Sequence, residues 1–402
     1  MYGTGMVRLD NGVKMLILTG EYGEGHKQAA LAIREACGIR LNGAETRVVD
    51  FMEWTHPRTY AWSKQLFIEG IRKFPSLYGY LFRKTKTANM FSQGLKWITV
   101  SGLGRLVKLL SDMKPSVVVS TFPLAAAAMS YLKANGMTRV PTATVITDHT
   151  DHSYWIHPQT DRYIVGSERV KKALIAQGVA SSAIAVTGIP VRSEFAREWN
   201  RQTLMDKHGL RADLPIVLVM GGGDGFIDKN LLRLIRDDRF AADMQFVVVC
   251  GRNRKLYETL ERELADVGNR VKLHGFVPFV SELMAAADLL ITKPGGLTTA
   301  EALAVGLPML LYRPLPGQEE DNAAYLTEVG AAVLAASESE LVYRLKWLLN
   351  HPEQLAEMRR RAQRLETKTA AFRALDAITQ IQNPVFAVTF KSDSSVPDAI
   401  AR

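Results

Sequence analysis

The chain has 402 residues, 47% hydrophobic and 23% charged, a composition that suits two globular domains with separate cores and excludes a disordered or fibrous polymer. No apolar run reaches the roughly 18 residues a membrane-spanning helix needs, so any membrane contact is expected to be peripheral. The net charge of +9 is concentrated between Lys64 and Lys114, where ten basic residues face two acidic ones for a net of +8, which favours a polyanionic partner, either nucleic acid or an anionic lipid surface.

In chain order, Lys14–Thr19 reads as a first strand and Gly20–His26 as a glycine-rich loop opening a helix from about Lys27 to Cys37. The apolar run Val13–Leu18 is too short for a signal peptide. The glycine spacing is not that of a dinucleotide site. It places His26 at a helix start beyond the carboxyl end of a strand, where open α/β sheets bind ligands, although a lone histidine there also suits a structural role. Cys37 and Cys250 are far apart and read as buried thiols of a reducing compartment, which favours the cytoplasmic side.

After a second strand, Glu45–Phe51, the stretch Trp54–Trp97 mixes aromatics, among them Trp62 and Trp97, with basic residues including Arg83, Lys84 and Lys86. Rings beside cations suit a lipid headgroup surface, and helix packing is the competing use; no nucleic-acid-binding pattern is present. Strands at Val117–Val119 and Thr142–Thr147 flank a helix that begins near Pro123, and the loop that follows is DHTDHSYWIHP, from Asp148 to Pro158. Its three histidines lack the spacing of a zinc site, so it reads as a polar cleft loop and no metal is expected.

Strands at Asp161–Val165 and Ile184–Thr187, with a helix between them, complete one α/β half, and the junction falls near Asn200. The second half begins with Pro215–Met220 and the glycine run Gly221–Gly223, Gly225, a nest able to approach a diphosphate. Phe246–Cys250 leads to Asn253, and Val271–His274 leads to Phe276 and Val277. The stretch Asp288–Asn322 then runs strand, Pro294-Gly295-Gly296 turn, helix, strand, polar loop. Leu297 and Thr298 follow the turn, so free N–H groups and the positive end of a helix face an anion, and Glu301 lies one turn on, suited to a ribose diol. Gln318, Glu319 and Asn322 offer amide and carboxylate groups to sugar hydroxyls. Helices are expected at Glu338–Leu349 and, as one long final helix, from Glu353 to about Gln382; residues 383–402 read as a mobile tail.

The order KPGGLTTAEALAVGLPMLLYRPLPGQEEDNA resembles the donor site of the family 28-like glycosyltransferases that include bacterial processive diacylglycerol glucosyltransferases and plant monogalactosyldiacylglycerol synthases. The resemblance implies the GT-B fold, two Rossmann-like domains facing across a cleft: residues 1–197 on the acceptor and membrane side, and 198–382 binding the donor, with the final helix recrossing to the first. It implies that His26, behind the loop containing Gly23 and Gly25, is the catalytic base, with Asp148 in reserve, although Tyr22 and Glu24 depart from the family's loop. Asp148, His152 and Trp155 match the family's cleft segment, while His149 stands where an aromatic residue is expected. Gly221, Gly222, Gly223, Asn253, Phe276, Val277, Gly295, Gly296, Leu297, Thr298, Glu301, Gln318, Glu319 and Asn322 are the expected donor contacts. The expected reaction is inverting transfer of a hexose, glucose in the first instance, from a UDP-sugar to diacylglycerol or its glycosylated product, without a metal, at the cytoplasmic face of an anionic membrane. The rivals are a UDP-GlcNAc transferase acting on undecaprenyl-linked muropeptide, a UDP-GlcNAc 2-epimerase and a non-catalytic UDP-sugar sensor.

Overall fold

The computed structural model of the protein describes residues 12–86, 102–223, 229–237 and 244–381. Among the described residues twelve strands form two six-stranded sheets. The first takes β1 (Lys14–Thr19), β2 (Glu45–Asp50), β3 (Val117–Ser120), β4 (Thr142–Val145), β5 (Arg162–Val165) and β6 (Ile184–Val186) in the order β2-β1-β3-β4-β5-β6. The second takes β7 (Ile216–Met220), β8 (Gln245–Val249), β9 (Val271–His274), β10 (Leu289–Thr292), β11 (Met309–Tyr312) and β12 (Ala332–Ala335) in the order β12-β11-β10-β7-β8-β9. Every adjacent pair is parallel.

The central strands are largely apolar because helices cover both sheet faces, and β7, β10 and β11 are buried at every position. In each sheet the strand order reverses once, between β1 and β3 and between β7 and β10. Loops after those strands lie at the switch points where ligands of open sheets bind. The glycine turns after β7 and β10 therefore flank one switch point, and the loops after β1 and β3 flank the other.

Seven helices matter below: α1 (Glu24–Arg40), α2 (Tyr60–Lys73), α3 (Pro75–Thr85), α4 (Gly296–Val305), α5 (Gln318–Glu328), α6 (Pro352–Arg364) and α7 (Ala370–Thr379). The expected single final helix is two. Glu366 adopts a left-handed conformation (φ 51°) after α6, and a short 3-10 turn, Thr367–Thr369, re-aims the chain. The break lets α6 pack on the second sheet through Met358 and Ala362 while α7 packs on the first. There Ala371, Ala374, Leu375 and Ile378 join Ile33 and Cys37 of α1, and both Asp376 oxygens lie 2.7 Å from the Arg40 guanidinium. Burying Leu375 and Ile378 stabilises this docking by about 1.5–3 kcal/mol each, so α7 is an integral part of the first unit. Residues 383–402, read from sequence as a tail, lie outside the described residues.

Candidate active site

The loops beyond the carboxyl ends of both sheets meet. Gly25 faces Leu297 so closely that a Cβ on it would lie 3.8 Å from the leucine Cβ, bringing the starts of α1 and α4 together. His26 is in the first turn of α1, which begins at Glu24, three residues earlier than the sequence suggests. Its Nδ1 lies 3.0 Å from Thr147 Oγ1, and its carbonyl accepts a hydrogen bond from Thr121 Oγ1 at 2.9 Å. Phe122 and Trp155 pack beside the ring at centroid distances of 5.5 and 5.8 Å. Burial lowers its pKa to about 4, against an opposing hydrogen bond from the ring to the Thr121 main chain. The imidazole is thus neutral at pH 7, and in the tautomer whose Nδ1–H donates to Thr147 Oγ1 the other ring nitrogen, Nε2, is the one able to take a proton.

Asp148 follows Thr147 and is 7% exposed. Burial pushes its carboxyl up to about 7; the Asn322 amide opposes the shift, the Glu319 charge adds to it, and Lys293 and the Gly296 N–H oppose it. Asn322 ties the two units together. Its amide donates to Asp148 Oδ1 at 2.8 Å and to the Pro294 carbonyl at 3.0 Å, and its oxygen accepts from the His149 N–H at 2.7 Å. Gly296 is required beside this clip, because a Cβ there would lie 2.6 Å from Asp148 Oδ1 and collide with the Thr147 carbonyl.

On the side of the second sheet, β10 delivers Gly295 as the residue preceding α4, so the first-turn N–H groups of Leu297 and Thr298 have no intrahelical acceptor. Glu301 is 8% exposed, and burial pushes its carboxyl up to about 8 despite the nearby Arg192. Gly222 turns at φ 73°, and the Gly223 carbonyl accepts from the Arg252 N–H at 2.9 Å, locking the loops after β7 and β8 together. Phe276 is exposed, with half-buried Val277 beside it, and lines a pocket of about 380 Å³ with Gly251, Arg252, Tyr257 and His274. Gln318, at the start of α5, accepts from the Tyr78 hydroxyl at 3.1 Å and the Tyr154 hydroxyl at 3.4 Å. Glu319 pairs with Lys293 and accepts the Leu315 N–H at 2.8 Å.

Comparison with known proteins places this geometry. Residues 26–191 match the family model of monogalactosyldiacylglycerol (MGDG) synthase, and residues 216–380 match that of the glycosyltransferase family 28 C-terminal domain. The processive diacylglycerol beta-glucosyltransferase of Bacillus licheniformis is 32% identical over 364 residues, covering 89% of this chain and 92% of that protein. The protein of the same description from Bacillus subtilis is 32% identical over 358 residues, covering 86% and 90%. The chain belongs to the processive diacylglycerol beta-glucosyltransferase family. It is an enzyme of the UDP-sugar-dependent hexosyltransferase kind. Its fold is GT-B: Acinetobacter baumannii MurG superposes with a TM-score of 0.58 at 16% identity, covering 92% of this chain and all of that one. A Neisseria meningitidis UDP-GlcNAc 2-epimerase, solved with UDP-GlcNAc bound, superposes with a TM-score of 0.57 at 17% identity, covering 92% and 99%.

Several side chains of the transferase are placed differently from the sequence expectation. His152 is fully buried: its Nε2 lies 2.9 Å from the Phe82 carbonyl and ties the loop to α3, while its Nδ1 accepts the Tyr154 N–H of its own loop at 3.3 Å, so both nitrogens are engaged within the protein. Asn253 accepts the Leu256 N–H at 2.9 Å and caps the helix Arg254–Glu263. Asn322, fully buried, is spent on the clip and not on a sugar, and both Glu319 oxygens are engaged. Lys86 is held in ion pairs within the protein: its Nζ lies 3.1 Å from Asp151 Oδ1 and 3.4 Å from Asp321 Oδ2. Arg83 leans toward Glu320 at 3.7 Å. Lys84 stacks over Tyr80, and Trp97 lies outside the described residues. His149, in place of an aromatic residue, stacks on Tyr325 at 3.8 Å as an aromatic would. Sequence reasoning overlooked Thr147, Tyr78, Lys293 and Arg252. Lys293, directly before the Pro-Gly-Gly turn, was the one with a visible signal.

Among the described residues no three His, Cys, Asp or Glu side chains converge as a metal site, and no helix is long and apolar enough to cross a membrane.

Proposed function

We propose that the protein transfers glucose from UDP-glucose to diacylglycerol at a membrane surface, with inversion, giving a β-glucosyldiacylglycerol. The observation that carries the reading is the meeting of two glycine turns at the second sheet's switch point with His26 and Asp148 across the cleft. His26 Nε2 takes the proton of the acceptor hydroxyl while its oxygen attacks the anomeric carbon from the face opposite the diphosphate. The leaving UDP is received by the N–H groups at the start of α4 and by the Gly221–Gly223 turn, a preorganised anion site that gives charge stabilisation without a metal. Glu301 holds the ribose and Phe276 covers the base. Gln318, its oxygen fixed by Tyr78 and Tyr154, presents its NH₂ to the sugar. Incubation with radiolabelled UDP-glucose and diacylglycerol liposomes should give labelled glycolipid, with turnover retained in EDTA. UDP-glucose binding without labelled lipid would instead mark a sensor, and label appearing only on an undecaprenyl-linked acceptor would mark the muropeptide transferase.

The membrane face in this reading is apolar and lies on α2 and α3, where Trp62, Leu66, Phe74, Leu77 and Tyr80 are each more than half exposed. Rings and leucines at headgroup depth gain area on insertion, and the neighbouring lysines meet lipid phosphate. Reversing Arg83 and Lys86 would break cross-cleft ion pairs and confuse the assay. Trp62→Glu with Leu77→Glu is the cleaner probe. This pair should abolish flotation with anionic vesicles while UDP binding persists; unchanged flotation would move the membrane face elsewhere.

A further inference from the structure

Glu24 is a residue for which the proposed reaction has no use. It opens α1 and reaches across the cleft to form an ion pair with Arg252, its side chain only 19% exposed. Its stem lies where a Cβ on Gly223 would be, so the carboxylate is seated against the glycine turn that receives the diphosphate in the reading above. Arg252 is placed with equal economy. Its main-chain N–H holds the Gly223 carbonyl at 2.9 Å, its guanidinium stacks 4.9 Å over the Phe276 ring, and it lines the pocket with Tyr257 and His274. A nucleotide with its base at Phe276 and its phosphates at Gly221–Gly223 passes this guanidinium, whose planar fork suits phosphate oxygens as well as it suits a carboxylate.

We propose that Arg252 is a diphosphate-binding residue for which Glu24 and the nucleoside diphosphate compete. Glu24 occupies the anion position on Arg252 in the same way a phosphate oxygen does. Donor binding therefore exchanges a cross-cleft ion pair for an arginine–phosphate pair, and the repelled Glu24 carboxylate leaves the glycine turn. The first unit is thereby uncoupled from the second at this point when nucleotide enters, and recoupled when UDP departs.

The inference rests on the glycine turn being the phosphate site, and calorimetry with UDP on the full-length protein separates the two. Arg252→Gln should weaken UDP binding by about tenfold or more, with Arg252→Lys intermediate. Glu24→Gln should tighten binding by about fivefold or more, and the double variant should match Arg252→Gln alone, because the glutamate acts through the arginine. If Glu24→Gln tightens binding equally with Arg252 removed, simple repulsion replaces the exchange and the proposal fails. It also fails if Arg252→Gln binds UDP as the natural protein does. If the natural protein binds no UDP, the donor-site reading falls together with the exchange. Circular dichroism melts confirm that each variant is folded.

Discussion

Replacing His26 by alanine should lower kcat by about 10²–10⁴-fold while UDP affinity stays within about threefold, since a positioned general base contributes that much and the proposed base would act on the acceptor and not on the nucleotide. The ring's environment favours the role. Thr147 fixes one nitrogen, Phe122 and Trp155 fix its plane, and burial keeps it neutral far below pH 7. Because His26 loses its proton near pH 4, the rise of kcat/KM near neutrality should come from Asp148, whose carboxyl ionises at about 7 and whose negative charge, next to Thr147, stabilises an imidazolium forming on His26. The rate should therefore climb through about pH 7, and Asp148→Asn should remove that climb. The same shift has a stability signature of opposite sign. The folded Asp148 pKa is raised above its ordinary 3.8, so the folded protein holds an extra proton between pH 3.8 and about 7, and stability falls as pH rises through that window. Asp148→Asn should melt higher than the natural protein at pH 8 while turning over more slowly. Should His26→Ala keep more than a tenth of the rate, Asp148 is the base.

The second large effect is at the Pro-Gly-Gly turn, where adjacent glycines should behave differently. Gly296→Val should cost about 100-fold in turnover, a loss of the size expected when reacting groups are displaced by about an ångström. Its side chain would push against the Thr147 carbonyl and Asp148, prising α4 from the loop that carries Asp148 and the Thr147 hydroxyl beside His26. A Cβ on Gly295 meets nothing nearer than Glu319 Oε1, at 3.8 Å, so the protein alone tolerates Gly295→Ala. A large KM increase for UDP-glucose in Gly295→Ala would then report phosphate lying against the main chain, and an unchanged KM would place the phosphate further out. Full activity in Gly296→Val would remove the diphosphate from the start of α4 altogether.

Much of this was legible in the sequence because the signals are local. The strands are short apolar runs ended by glycine or polar residues, and both glycine turns stand directly after such runs, so the α/β alternation and the donor-side loops could be read in order. What escaped depends on pairs brought together only by folding. Nothing near Asn322 announces that its amide will close on Asp148, 174 positions earlier, nor near Lys86 that Asp321 will claim it. His152 is placed in the cleft by its loop and by its match to the family segment, but only the docking of α3 decides that its Nε2 turns to the Phe82 carbonyl. The break after α6 was hidden because Leu365–Thr369 contains neither glycine nor proline, and the need to reach the first sheet bends the chain there.

That final crossing has a consequence for how the molecule is made. Since α7 fills a face of the sheet that contains β1, the first unit cannot complete its core until α7, which follows the whole of the second sheet, has left the ribosome. During translation the amino-terminal half must wait with Ile33 and Cys37 uncovered. Removing α7 would therefore injure the first unit and not the second, to which it is joined in sequence.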